Sequence, residues 1–203
     1  MNINEPYRAS FTREQFLFHE MRIVAELMSD GKDDNDIVNC IVDENLFQYP
    51  TEKMIRRMAM TCVKRLNLLS DNKLIDIIAH GPSDSAKQVC LYAMMNQYRV
   101  IFEFMTSVIA EKYRLRDYSF SRKDLNVFFV RLQEQSDAVA SWKESTISKL
   151  KQVIMKMLVD TEFLDNVKSD HLNSILIDFE FKNVLIEKRD YAALSVFNCF
   201  EGD

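Results

Sequence analysis

Glycine and proline are scarce in this 203-residue chain, with three of each: Gly31, Gly81 and Gly202, and Pro6, Pro50 and Pro82. β-Hairpins, Rossmann turns and phosphate-binding loops draw on those residues for tight turns and positive φ, so the composition excludes folds built on them. Long apolar runs are missing as well. Glu103 divides the run 100–105, and Asp178 and Glu180 interrupt 175–181, so nothing approaches the roughly 18 uncharged residues of a membrane span. The first eight residues include Glu5 and show neither an apolar core nor a small-residue cleavage site, which argues against a secretory leader and for a cytoplasmic protein. Cysteine is sparse and scattered (Cys40, Cys62, Cys90, Cys199), with no CxxC pair. Buried free thiols fit that pattern better than a metal site or a disulfide framework.

What is present is helical periodicity in a chain that is 47% hydrophobic and 28% charged. At this length a chain hides about 70% of its unfolded surface, enough for a core without cross-links. Phe16, Leu17, Met21, Val24, Leu27 and Met28 predict a first helix that opens at Thr12, with Gln15 as a capping-box partner, and stops at Gly31. Asp33 caps a short second helix holding Ile37, Val38, Ile41 and Val42, and Thr51 caps a third that runs to about Leu68. On the third helix Met54, Ile55, Met58, Cys62, Leu66 and Leu69 point inward, while Lys53, Arg56, Arg57, Lys64 and Arg65 project elsewhere. Two helices, a tight turn and a basic third helix make a helix-turn-helix-like outline over residues 1–69.

A helical middle segment, 70–118, follows, with Ser70 and Ser83 as caps for helices near 71–79 and 84–96, the breaker Gly81-Pro82 between them, and a long helix over about 98–114. Within 119–203 the trihelical outline recurs. Ser121 with Asp124 opens a helix, 136–141 makes one short turn, and Ser145 or Thr146 caps a helix carrying Ile147, Leu150, Val153, Ile154, Met157 and Leu158. Past Asp160 the pattern is mixed: Leu172, Ile175, Leu176 and Phe179 fit a helix, Ile177, Phe179 and Phe181 alternate like a strand, and a wing-like excursion falls near 163–168. Helix is the expectation there. The expected fold class is all-α, multi-helical, with two helix-turn-helix-like units joined by the middle segment.

Charge is unevenly spread over a chain whose formal net charge is −5. Residues 160–203 hold ten acids against four bases, and residues 26–44 hold seven acids against one base. The proposed third helices run the other way. Residues 51–68 carry five bases against Glu52, and the later helix bears Lys143, Lys149, Lys151 and Lys156 against Glu144. A third basic stretch, Lys112, Arg114, Arg116, Arg122 and Lys123 against Asp117, is interleaved with Tyr113, Tyr118 and Phe120. Cations that neutralise phosphates supply most non-specific affinity for nucleic acid, and aromatic rings add stacking with splayed bases. The same pattern also describes a solvated face with core-facing aromatics.

Catalytic constellations are not evident. His19, His80 and His171 lack HxxxH or HxE spacing, and the run Asp30, Asp33, Asp34, Asp36 lacks the glycine and terminal glutamate of a calcium loop. Those acids suit a helix start, where they complement the macrodipole. No GxSxG, Walker or kinase motif is present, so a non-enzymatic protein without cofactor or metal is expected.

The stretch Phe16-Leu17-Phe18-His19-Glu20-Met21-Arg22-Ile23-Val24-Ala25-Glu26-Leu27, followed by Gly31 and Glu44-Asn45-Leu46, resembles the opening of the BrxA family of BREX bacteriophage-exclusion systems. A stronger likeness lies in Val139-Ala140-Ser141-Trp142-Lys143-Glu144-Ser145-Thr146-Ile147-Ser148-Lys149-Leu150-Lys151-Gln152-Val153, with Arg65-Leu66 and Glu103-Phe104-Met105 fitting between. The similarity spans about 11–165. It implies a small helical accessory protein that binds duplex DNA within a multi-protein phage-defence system, with other BREX components as partners. The second match has the form a helix-turn-helix needs: Val139 and Ala140 on a short helix, Trp142 as a packing anchor at the turn, and Lys149, Lys151 and Gln152 on a helix that faces a groove. Two other readings stand beside DNA binding: an adaptor that meets other defence components through its acidic face and tail, and a helical bundle that recognises RNA shape.

Overall fold

The computed structural model describes residues 6–200, and over them the chain is all-α. No strand forms among the described residues; a single antiparallel bridge joins Ser119 and His171. Gly202 and residues 1–5, Glu5 among them, lie outside the described residues. Two compact units emerge: residues 16–97, and the segment up to Gln15 together with everything from Tyr98 onward.

The unit of residues 16–97 holds α1 (Phe18–Ser29), α2 (Asp34–Asp43), α3 (Glu52–Asn67), α4 (Asn72–His80) and α5 (Ser83–Gln97). α1, α2 and α3 pack against one another, and α4 lies along α1. Asp33 caps α2 by accepting from the amides of Asn35 and Asp36, and Thr51 caps α3 by accepting from Met54. Both caps agree with the sequence. α5 is buried almost all round, with Ser85, Ala86 and every residue from Gln88 to Met95 inside, which makes it the central helix of this unit. Gly81 is needed where α4 meets α5: a Cβ there would stand 2.5 Å from the Ile77 carbonyl oxygen.

The start of α1 differs from expectation. Residues Ser10–Thr12 form a 3-10 turn, the Thr12 hydroxyl donates back to the Ala9 carbonyl, and α1 begins only at Phe18 behind a left-handed Leu17. The Phe16 carbonyl just ahead of it is held by Arg65. Ser70 is likewise not a cap; Asp71 takes that position for α4.

The other unit contains α6 (Arg99–Phe104), a π-helical turn (Met105–Ile109), α7 (Ala110–Arg114), α8 (Arg122–Gln135), α9 (Asp137–Ala140), α10 (Glu144–Asp160), α11 (Phe179–Glu187) and α12 (Tyr191–Val196). The long helix expected near 98–114 is therefore continuous but carries a π turn. There the Thr106 and Ser107 hydroxyls donate to the Phe102 and Glu103 carbonyls, local bonds that compete with the regular ladder. Ser121 and Asp124 make the expected capping box of α8. Lys143, not Ser145 or Thr146, occupies the cap of α10, with no side-chain cap bond. Aromatic edges knit the core, Phe104 against Phe120 and Phe128, and Phe181 against Phe197.

Past α10 the expected helix over 172–179 does not form. Leu172 N–H donates to the Tyr118 carbonyl and Asn173 N–H to the Phe163 carbonyl, which holds the chain extended until Asp178 caps α11. Residues 163–168 form turns, not a wing.

A chain with so little glycine still ends helices in the left-handed region. Gly31 serves after α1 at φ 81°, but Asn45, Arg116, Arg189 and Asn198 take the corresponding place elsewhere, each followed by the paired 6→1 and 5→2 bonds of a Schellman end.

Candidate nucleic-acid interface

α3 presents its cations on one outer face. Lys53, Arg56, Arg57 and Lys64 are exposed, and Met60 stands among them 59% exposed, so the stripe follows helical spacing. Arg56 lies 3.5 Å from Glu52 and 3.5 Å from the Asn39 amide oxygen. Lys53, Arg57 and Lys64 make no ion pair among the described residues.

Arg65 stands apart from this stripe. It is fully buried, its Nε donating to Gln97 Oε1 at 2.7 Å and its Nη1 to the Phe16 carbonyl at 3.1 Å. It ties α3 to α5 and to the entry of α1, and has no surface to offer a phosphate. Spacing carries the signal for this: Arg65 lies seven, four and three residues after Met58, Thr61 and Cys62, all buried.

α10 carries a second outer stripe, Ser145, Ser148, Lys149, Gln152 and Lys156, all exposed, with Lys143 at its cap. Lys149 and Lys156 have no ion pair among the described residues. Lys151 turns off the stripe: its ammonium donates to Asn126 on α8 at 2.8 Å and sits 5.6 Å above the Phe129 ring. Trp142 is half-buried at the turn between α9 and α10.

The 112–124 junction neutralises much of its own charge. Lys112, whose side chain is 14% exposed, lies 3.0 Å from Asp117 and 3.2 Å from Asp124. Burial pulls its ammonium down, but the hydrogen bonds it donates to both carboxylates outweigh that and hold its pKa above the ordinary lysine value. Asp117, accepting from the Ser119 hydroxyl, Lys112 and the Ser119 amide, is pushed down to about 2. Arg114 forks onto Glu111. Arg116 is exposed at a left-handed helix end, and Arg122 and Lys123 are exposed on the first turn of α8. The aromatics turn inward: Tyr113 and Phe120 are core residues, and Tyr118 stacks on His171 at 5.7 Å. Burial raises the Tyr113 phenol, which donates to the Asn173 carbonyl.

No group of three or more His, Cys, Asp or Glu side chains is placed to hold a metal among the described residues, and no helix there is long and apolar enough to cross a membrane. His80 pairs with Asp76, His171 meets Tyr118 and His19 is exposed. Cys62 and Cys90 are buried free thiols, while Cys40 and Cys199 are half-buried.

The fold and these faces define an all-helical protein with two cation-bearing helices, α3 and α10. The chain belongs to the BrxA family, whose model matches residues 5–189, a longer stretch than the 11–165 over which the motifs resemble it. It is 35% identical over 164 residues to a protein of Bacillus cereus (strain H3081.97) named "BREX protein BrxA", covering 81% of this chain and 82% of that one. A protein of the same name from Escherichia coli O9:H4 (strain HS) is 25% identical over 166 residues, covering 82% and 78%. The fold is also that of an uncharacterized protein from Magnetospirillum magneticum solved by crystallography, with a TM-score of 0.79 at 20% identity over 95% of this chain and 98% of that one.

Proposed function

We propose that the protein is a non-catalytic, cytoplasmic DNA-binding component of a BREX phage-defence system, holding duplex DNA mainly through backbone phosphates. The observation that carries the reading is the pair of outer stripes on α3 and α10, where Lys53, Arg57, Lys64, Lys149 and Lys156 stay in solvent without carboxylate partners although the chain as a whole is acidic. Such cations release counterions from DNA when they meet phosphates, which gives affinity without base specificity. On α10 they alternate with Ser145, Ser148 and Gln152, short hydrogen-bonding side chains suited to phosphate oxygens or base edges. In this reading α8, α9 and α10 act as a helix-turn-helix-like unit with α10 toward the groove, and α1, α2 and α3 act likewise with α3. Arg116, Arg122 and Lys123 supply further phosphate contacts; Lys112, Arg114 and Arg65 serve the fold instead.

Fluorescence anisotropy with labelled duplex DNA tests this. Binding at about 50 mM salt should weaken by orders of magnitude at about 200 mM. A structured RNA titrated in parallel separates DNA from RNA, and absence of binding to either at low salt removes the nucleic-acid reading.

A further inference from the structure

The exposed stripes of α3 and α10 share one register. Counted from Lys53 on α3 and from Ser145 on α10, each uses the first residue and the third, fourth, seventh and eleventh beyond it: Lys53, Arg56, Arg57, Met60 and Lys64 on one helix, Ser145, Ser148, Lys149, Gln152 and Lys156 on the other. At helical spacing such positions form a single narrow face. The fourth and eleventh are cations in both helices, and none of Arg57, Lys64, Lys149 and Lys156 makes an ion pair among the described residues. The seventh, between them, is uncharged in both. It is Met60 on α3, 59% exposed, and Gln152 on α10, exposed and without a hydrogen-bond partner among the described residues.

Cations seven residues apart stand about 10 Å apart along a helix, close to the roughly 12 Å width of the major groove of B-DNA. When their long stems spread to the phosphates on the two walls, the residue between them is directed at the floor, where base edges are offered. A methionine thioether has no donor for a phosphate oxygen. The apolar group on the major-groove edge is the thymine C5-methyl, and the flexible methionine side chain can lie against it. A glutamine amide matches adenine instead, its N–H donating to N7 and its oxygen accepting from the N6 amino group. The two central residues therefore favour the same base pair by different chemistry.

We infer that Met60 and Gln152 are specificity-determining residues that give the protein a preference for A·T pairs read in the major groove, Met60 through the thymine methyl and Gln152 through adenine N6 and N7. The inference rests on the duplex-DNA reading above and adds to it. Phosphate contacts by the flanking cations supply affinity that is blind to sequence, and the central residue of each stripe adds a smaller, sequence-dependent part. Each helix carries its own reader, so the preference does not require α3 and α10 to meet one duplex.

Anisotropy of the full chain at about 50 mM salt with short labelled duplexes tests the inference. The wild-type chain should bind an alternating A·T duplex more tightly than a G·C duplex of the same length. Replacing thymine by uracil, which removes only the methyl group, should weaken binding about fourfold. Replacing adenine by 7-deazaadenine, which removes only the N7 acceptor, should weaken it about fivefold. Met60→Ala should abolish the first sensitivity and keep the second, and Gln152→Ala should do the reverse. Both side chains are exposed, so each variant should keep the wild-type helical circular-dichroism signal, and each should keep the wild-type salt slope. Met60→Leu, still apolar, should retain the discrimination between thymine and uracil. A wild-type chain that binds every duplex equally well, or an alanine variant that keeps the sensitivity assigned to its residue, would overturn the inference and leave the phosphate-based reading in place. Absence of binding to any duplex would instead remove that reading, and this inference with it.

Discussion

The segments 51–68 and 112–124 each carry five cations, and they differ in where those charges end. On α3 one arginine goes into the core, one leans on Glu52, and Lys53, Arg57 and Lys64 remain in solvent without carboxylate partners. In the junction, Asp117, Asp124 and Glu111 take up Lys112 and Arg114, and the aromatics that sequence places among the cations belong to the core or to His171. The difference teaches that cation density alone does not make a phosphate-binding face. What matters is whether carboxylates within a turn or two can reach the cations, and whether helical spacing puts each one outside.

The largest effect that sharpens this contrast concerns neighbours in α3. Arg65→Ala should cost about 3 kcal/mol or more of stability in urea unfolding, because it opens a cavity and leaves the Gln97 and Phe16 oxygens without this donor. Lys64→Ala, one residue away and exposed, should stay within about 0.5 kcal/mol. Next is the reversal of the stripe, Lys53→Glu with Arg57→Glu and Lys64→Glu, which should weaken DNA binding about 100-fold at low salt, read by anisotropy, with the helical signal unchanged. Smaller is Lys112→Ala, which should lower stability by about 1 kcal/mol while shifting DNA affinity less than about threefold. A DNA effect as large as that of the stripe reversal would break the contrast.

Smallest is a pH effect. The carboxyl of Asp117 is held below its ordinary value of 3.8, at about 2, so its contribution to stability is complete above about pH 4 and fades as pH falls toward 2. Asp117→Asn should remove that part of the acid dependence, lowering the melting temperature by a constant amount above about pH 5 and leaving it unchanged near pH 2.

Much of the architecture was legible where local chemistry decides it. Asp33, Thr51 and the Ser121–Asp124 pair cap the helices that their spacing announces, because a side-chain oxygen beside free amides needs no tertiary help. Thr12 and Gln15 carry a similar signature, but the Thr12 hydroxyl serves a 3-10 turn and a distant arginine holds the chain ahead of α1. The tail departs from its apolar spacing for the same kind of reason: bonds to Tyr118, far away in sequence, and to Phe163 keep 172–178 extended where spacing alone suggests helix. Among the candidate site residues, the exposed stripe of α3 was visible in its periodicity. The pairing of Lys112 with two aspartates was not, since it depends on how the turn at Arg116 folds back toward α8.

The slope of log affinity for duplex DNA against log salt tests the central claim most directly, since it counts the phosphates that cations neutralise. The slope should shrink by about one for each of Lys53→Ala and Lys149→Ala, and should stay at the wild-type value in the double variant Lys112→Ala with Arg114→Ala. A junction variant that flattens the slope as much as the stripe variants do would contradict the account.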